Sequence, residues 1–296
     1  MKTRFKIIFF TVLFVLTLSI GKSQETYFTQ YFNAPIYLNP ALSGYESCSR
    51  MATLYHNLWR SSAISDQTYI FSYDQFFKQL SGSFAIRYLY NNIDHGAFKM
   101  NTVYATYAPK FNFFDDKMVL SVAIEAGWRK KKLYWDEFMY SVPSNQTSSK
   151  ETFDINGGIL ITFNNFVCGA AFHHITEPEE GLVSTSRLPL KATFHLTYQW
   201  KLSELLNISP TLLYLRQMDT DIYNSNVAVS YRKIRSAIGY SYNTIFYDNR
   251  ANIYLGFNLN YFTIGYCYEL SMSKINDQTI NSHEVNIMAR FHCKNK

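Results

Sequence analysis

Only 17% of this 296-residue chain is Asp, Glu, Lys or Arg, yet its mean hydropathy is slightly negative. After residue 20 there is no apolar run near the roughly 20 residues that a spanning helix needs, which excludes a helical membrane protein. The four cysteines, Cys48, Cys168, Cys267 and Cys293, are widely spaced. No Cys-x-x-Cys pair is present for zinc or thiol redox chemistry, and whether any of the four form disulfides stays open. There is no Gly-x-Ser-x-Gly elbow and no glycine-rich phosphate loop. An excess of positive charge is also missing. Four of the 28 basic residues (Lys2, Arg4, Lys6, Lys22) and none of the 22 acidic ones precede residue 24, leaving 24 against 22. Without a basic stripe, nucleic acid is not an expected partner. The short run Arg129 to Lys132 reads as a solvated loop edge.

Aromatic residues, by contrast, are abundant: 18% of the chain, with 24 Tyr and 24 Phe. A membrane β-barrel has this mixed character. One lipid-facing residue alternates with one lumen-facing residue, and aromatics collect at the two interfaces.

The chain opens with three positive charges between Lys2 and Lys6, then an apolar run from Ile7 to Ile20 that is too short to span. Gly21 and Ser23 supply small residues for cleavage. These are the parts of a signal peptide, residues 1–23, with mature protein expected from Gln24. Residues 24–48 form an N-terminal segment, periplasmic or lodged as a plug, and residues 49–293 form the barrel.

From residue 49 the pattern is about ten alternating residues and then a turn. It predicts fourteen strands near 49–59, 66–77, 80–91, 98–109, 118–129, 152–163, 166–175, 190–200, 206–216, 221–232, 235–246, 249–259, 261–270 and 282–293. An even number returns both ends to the periplasmic side. The longest connections, 130–151, 176–189 and 271–281, then all fall outside the cell. Leu255 is assigned to lipid and Asn252 to the lumen, so a charge at 255 should be costly and one at 252 mild. In the last strand Arg290 is expected in the lumen, with Val285, Ile287, Ala289 and Phe291 on lipid. An alternating terminal strand with an aromatic near its end resembles an outer-membrane insertion signal, which marks His283, Glu284 and Phe291.

Polar constellations are few. His173 and His174 adjoin on a strand and should point to opposite faces, which disfavours a shared metal ion and suggests interfacial hydrogen bonding. His195 and Ser121 each belong on a wall, but nothing in the sequence brings them together as a hydrolase would require. Asn156-Gly157-Gly158 lies within a strand, where glycine permits close packing or curvature. Glu177, Glu179 and Glu180 read as a solvated outer loop rather than a calcium site. Cys168 and Cys267 read as small packed strand residues. No enzyme activity, metal or cofactor is expected.

The segment from Tyr27 to Glu46, YFTQYFNAPIYLNPALSGYE, resembles the opening of the PorP/SprF family of the type IX secretion system in Bacteroidota. It carries the aromatic-x-Gln-Tyr stretch at Phe28 to Tyr31 and Asn-Pro-Ala-x-x-Gly at Asn39, Pro40, Ala41 and Gly44. Tyr55 and Trp59, His-His-x-Thr-x-Pro at His173, His174 and Pro178, and Ser282-His283-Glu284 are similar to the family too. The chain departs from it at His56 and Leu58, near which members often have Arg and Gln. The resemblance implies an outer-membrane component or accessory of type IX secretion. Its implied partners are outer-membrane lipid, secretion-ring components and the C-terminal domain of a large adhesin, gliding adhesins included. The residues alone also fit a FadL-like transporter of hydrophobic solutes.

Overall fold

The computed structural model describes residues 28, 30–46, 48–58, 65–135, 147–182, 185–244, 248–272, 274–275, 278–279, 281–291 and 293. The expected signal peptide and its cleavage site, Trp59 and His292 lie outside the described residues.

Fourteen strands form the wall: β1 (Ser49–Leu58), β2 (Asp66–Phe77), β3 (Gly82–Ile93), β4 (Phe98–Phe113), β5 (Met118–Tyr134), β6 (Thr147–Phe163), β7 (Phe166–His173), β8 (Lys191–Tyr198), β9 (Leu206–Gln217), β10 (Thr220–Tyr231), β11 (Ile234–Asn243), β12 (Asp248–Leu259), β13 (Phe262–Ser271) and β14 (Ser282–Phe291). Each pairs antiparallel with its neighbours in sequence, and β1 pairs with β14, with Tyr55 opposite Val285, so the sheet closes. Closure removes the exposed sheet edges that could not be tolerated in lipid. A disulfide between Cys48 and Cys293, 245 residues apart, fastens the seam where the first and last strands meet.

The faces follow the alternation in the sequence. Leu255, Ile253 and Phe257 point outward, as do Val285, Ile287 and Phe291, while Asn252, Tyr254 and Arg87 point inward and are buried. Cys168 is exposed on the outer face and Cys267 is buried on the inner one. Short turns such as Asn164-Asn165 and Arg232-Lys233 share one rim with both ends of the wall, and the long connections share the other.

The strand count is as expected, but β5 and β6 run further than the alternation suggested. They pair as far as Tyr134 opposite Thr147. Arg129 to Lys132 is therefore strand and not a solvated loop edge, and Arg129 is buried. Charged residues obscure apolar alternation, although they can line a polar lumen as well as any other polar group.

Candidate functional site

The lumen is filled by the chain's own N-terminal segment. From Tyr31 it forms three short turns, Tyr31–Asn33, Pro35–Leu38 and Pro40–Leu42. Pro35 and Pro40 each start a turn, where a missing N–H costs nothing and a fixed φ helps. Asn39 caps the last turn, its Oδ1 accepting from Ala41 N at 2.9 Å, and Ser43 Oγ donates to the Pro40 carbonyl at 2.6 Å. Gly44 then takes φ +58°, and a Cβ there would meet Ser83 Oγ at 2.1 Å.

Wall residues from all fourteen strands hold this plug, through apolar clusters, through Thr193 donating to the Leu38 carbonyl, and through Glu284 accepting from Gln30 N at 3.1 Å. Tyr31, Leu38, Ala41 and Leu42 pack on the β4–β7 and β9 side. Phe28 and Ala34 pack on β1–β3. Gln30, wholly buried, also donates to Asn252 Oδ1 at 2.7 Å. Aromatic rings of the plug lie against wall cations. Phe32 is 4.4 Å from the Arg235 guanidinium, and Tyr37 lies beside Lys191 at 4.8 Å and Arg87 at 5.3 Å. His56, where the chain departs from the family pattern, has its ring 5.5 Å from that of Phe28.

Below the plug is a charged cluster. Arg50 makes a two-pronged contact with Asp74, whose other partner is Gly44 N at 2.6 Å, and Arg50 also donates to the Leu42 carbonyl. Lys110 donates to the Gly44 carbonyl. Arg290 faces the lumen as expected and binds Glu46. Burial would raise the Glu46 carboxyl, but Arg50 and Arg290 outweigh it and hold the group below the usual carboxylate range.

Above the plug, the connection after β7 folds inward. His173 and His174 are both buried, correcting the expectation of opposite faces. The strand ends at His173, and His174 adopts φ +60°, which turns its ring back into the barrel. His173 Nε2 lies 3.2 Å from the Leu38 carbonyl. His174 Nδ1 and the Tyr104 hydroxyl share Asp154 Oδ2, each at 2.6 Å, and Arg129 donates to Tyr104. Pro178 is buried and its carbonyl accepts from Leu188 N. Glu180 is also buried, gripped by Arg129 and Lys131. The expected solvated loop is thus in part a lid held by ion pairs, with Glu179 left outside on Lys150.

The expected sites divide accordingly. Tyr31, Asn39, Pro40, Ala41 and Gly44 are brought together with His173, His174 and Glu284 around one plug. His283 faces out, its Nδ1 2.7 Å from the Tyr266 hydroxyl, and Phe291 lies on the lipid face. Sequence reasoning missed the Gly158 and Gly169 contacts with Asn39, together with Gln30, Arg50 and Asp74 as plug anchors. Strand parity places Arg50 and Asp74 inside, but it says nothing about what they hold.

A closed barrel of fourteen strands, lipid-facing outside and occupied by its own N-terminal segment, defines a plugged outer-membrane barrel. Residues 20–288 match the model of the type IX secretion system membrane protein PorP/SprF, and the chain belongs to that family. No curated protein matches it. Among solved structures, the fold is similar to the Ralstonia pickettii toluene transporter TbuX, with 12% identity, 88% of this chain and 94% of that one covered and a TM-score of 0.53. The Pseudomonas putida toluene transporter TodX gives 10% identity, 91% and 95% coverage and 0.52. The CymD monoaromatic hydrocarbon channel gives 9% identity, 90% and 94% coverage and 0.55.

Proposed function

We propose that this barrel is a non-enzymatic scaffold of type IX secretion that supports export or surface anchoring of a partner adhesin, a class that includes gliding adhesins. Secretion-ring components would meet its periplasmic rim, and the adhesin's C-terminal domain would meet its outer connections. Family membership supplies the secretion role. The observation that favours a scaffold over a pore is the plug, which is tied to the whole circumference of the wall by apolar packing, ion pairs and hydrogen bonds. Asn39, Pro40, Ala41 and Gly44 then serve to seat the plug rather than to touch a partner. A deletion strain tests this by comparing surface and secreted proteins. Loss of one or a few large surface proteins is expected. Loss of every type IX substrate would make it a core component, and no change would overturn the secretion role.

A second reading, a FadL-like transporter of hydrophobic solutes, draws on the fold shared with hydrocarbon channels. Uptake by the purified barrel in vesicles separates the two, since a transporter moves solute without secretion partners.

A further inference from the structure

We propose that the outer rim of β4 and β5 binds a phosphate group of an outer-leaflet glycolipid, through Lys99, Lys130 and Lys132. Along the outward face of β5 the residues run Ile124, Ala126, Trp128, Lys130, Lys132, so an apolar stretch gives way to an interfacial aromatic and then to two cations. On β4 the matching order is Val103, Asn101, Lys99, and the exposed Tyr88 hydroxyl donates to Asn101 at 2.7 Å, which marks the same polar boundary. The cations therefore stand at headgroup height, on the rim of the long connections.

Their pairing is unusual. Lys99 lies directly across from Lys132, and Lys130 across from Asn101. Like charges in directly opposed positions repel. The same rim shows the ordinary solution elsewhere, where outward Arg216 is directly opposite Asp221. At the lysine pair, Glu151 is bonded to Lys130 at 2.5 Å and also acts on Lys132, and Lys99 sits over the Tyr134 ring at 4.7 Å, which among the described residues sets three cations against one carboxylate. An anion between Lys99 and Lys132 turns that repulsion into attraction. At this depth the anion that is always present is a lipid phosphate, and Trp128 and Val103 just below would take the acyl chains.

The test uses the full barrel purified from outer membranes in non-ionic detergent, with retained phosphorylated glycolipid measured by mass and phosphorus content. Lys99→Gln with Lys132→Gln should lower retention by roughly 25-fold, the ratio equivalent to about 1 kcal/mol for each of two cations near an anionic lipid surface. Lys117→Gln, on the opposite rim, should leave it unchanged. Wild-type protein should also bind the phosphorylated glycolipid more tightly than its dephosphorylated form, with the difference shrinking in high salt. Equal binding of the two forms overturns the proposal even if the double variant fails to fold. Equal losses in the Lys117 control, or full displacement by millimolar inorganic phosphate, overturn it as well.

Discussion

The Asn39 side chain occupies the space that a Cβ on Gly158 would fill, with Oδ1 only 2.2 Å from that position, and Gly169 on the next strand leaves room for its Nδ2 in the same way. In this socket Nδ2 donates to the Ile159 carbonyl at 3.0 Å and lies 3.2 Å from His195 Nε2. The motif Asn-Pro-Ala-x-x-Gly and two wall glycines are thus halves of one fitting.

Gly158→Ala should unseat the plug, since backbone and a buried amide must move, with an overpacking cost of about 1–3 kcal/mol. Gly157→Ala is the control, because its nearest neighbour is Ile175 Cδ1 at an ordinary 3.4 Å. Protease cleavage within residues 30–46 should rise for the first variant only. Equal protection in both would show that the socket does not hold the plug.

Lipid and lumen faces should respond to charge in different ways. Leu255→Arg, on the outer face, should lower folding stability by about 2–4 kcal/mol in a urea titration in lipid. Asn252→Arg was expected from the sequence to be mild, but Asn252 is buried and accepts from Gln30. Its effect should instead be release of the plug at nearly normal barrel stability. Similar urea midpoints for the two variants would contradict the face assignment.

Asp74→Asn should cost about 1.5–3 kcal/mol in a urea titration, because it removes the charge-assisted contacts of a buried Arg50 that keeps Glu46 and the Leu42 carbonyl as partners. Glu46 adds a pH dependence. Its folded carboxyl lies below the usual range, so its contribution is present above the unfolded value and is lost as pH falls through the folded one. Acid unfolding of Glu46→Gln should be less steep than that of wild type below the ordinary carboxylate range, and unchanged steepness would count against the Glu46–Arg290 pair.

Removing the seam disulfide with Cys48→Ser and Cys293→Ser should lower stability by about 2–4 kcal/mol, because the bridge closes a very long loop in the unfolded chain. Reductant should have the same effect on wild type and none on the double variant. The readout is the temperature at which folded and unfolded forms exchange on an unheated gel.

The strand count, the faces and the order of short and long connections were all legible in the sequence. A period of two between lipid and lumen leaves a local signature that needs no knowledge of distant neighbours, as Leu255 against Asn252 and Arg290 against Ile287 illustrate. The family motifs were legible too, though only as patterns. What Asn39 and Gln30 do depends on residues more than a hundred positions away, such as Ile159, Asn252 and Glu284, and only the folded barrel brings these together. Glu180, Arg129 and His174 find their partners nearer in the chain, yet those too are set by tertiary structure. They read as solvated or interfacial because burying charge is costly, and tertiary structure put them inside by giving each a partner that offsets its desolvation.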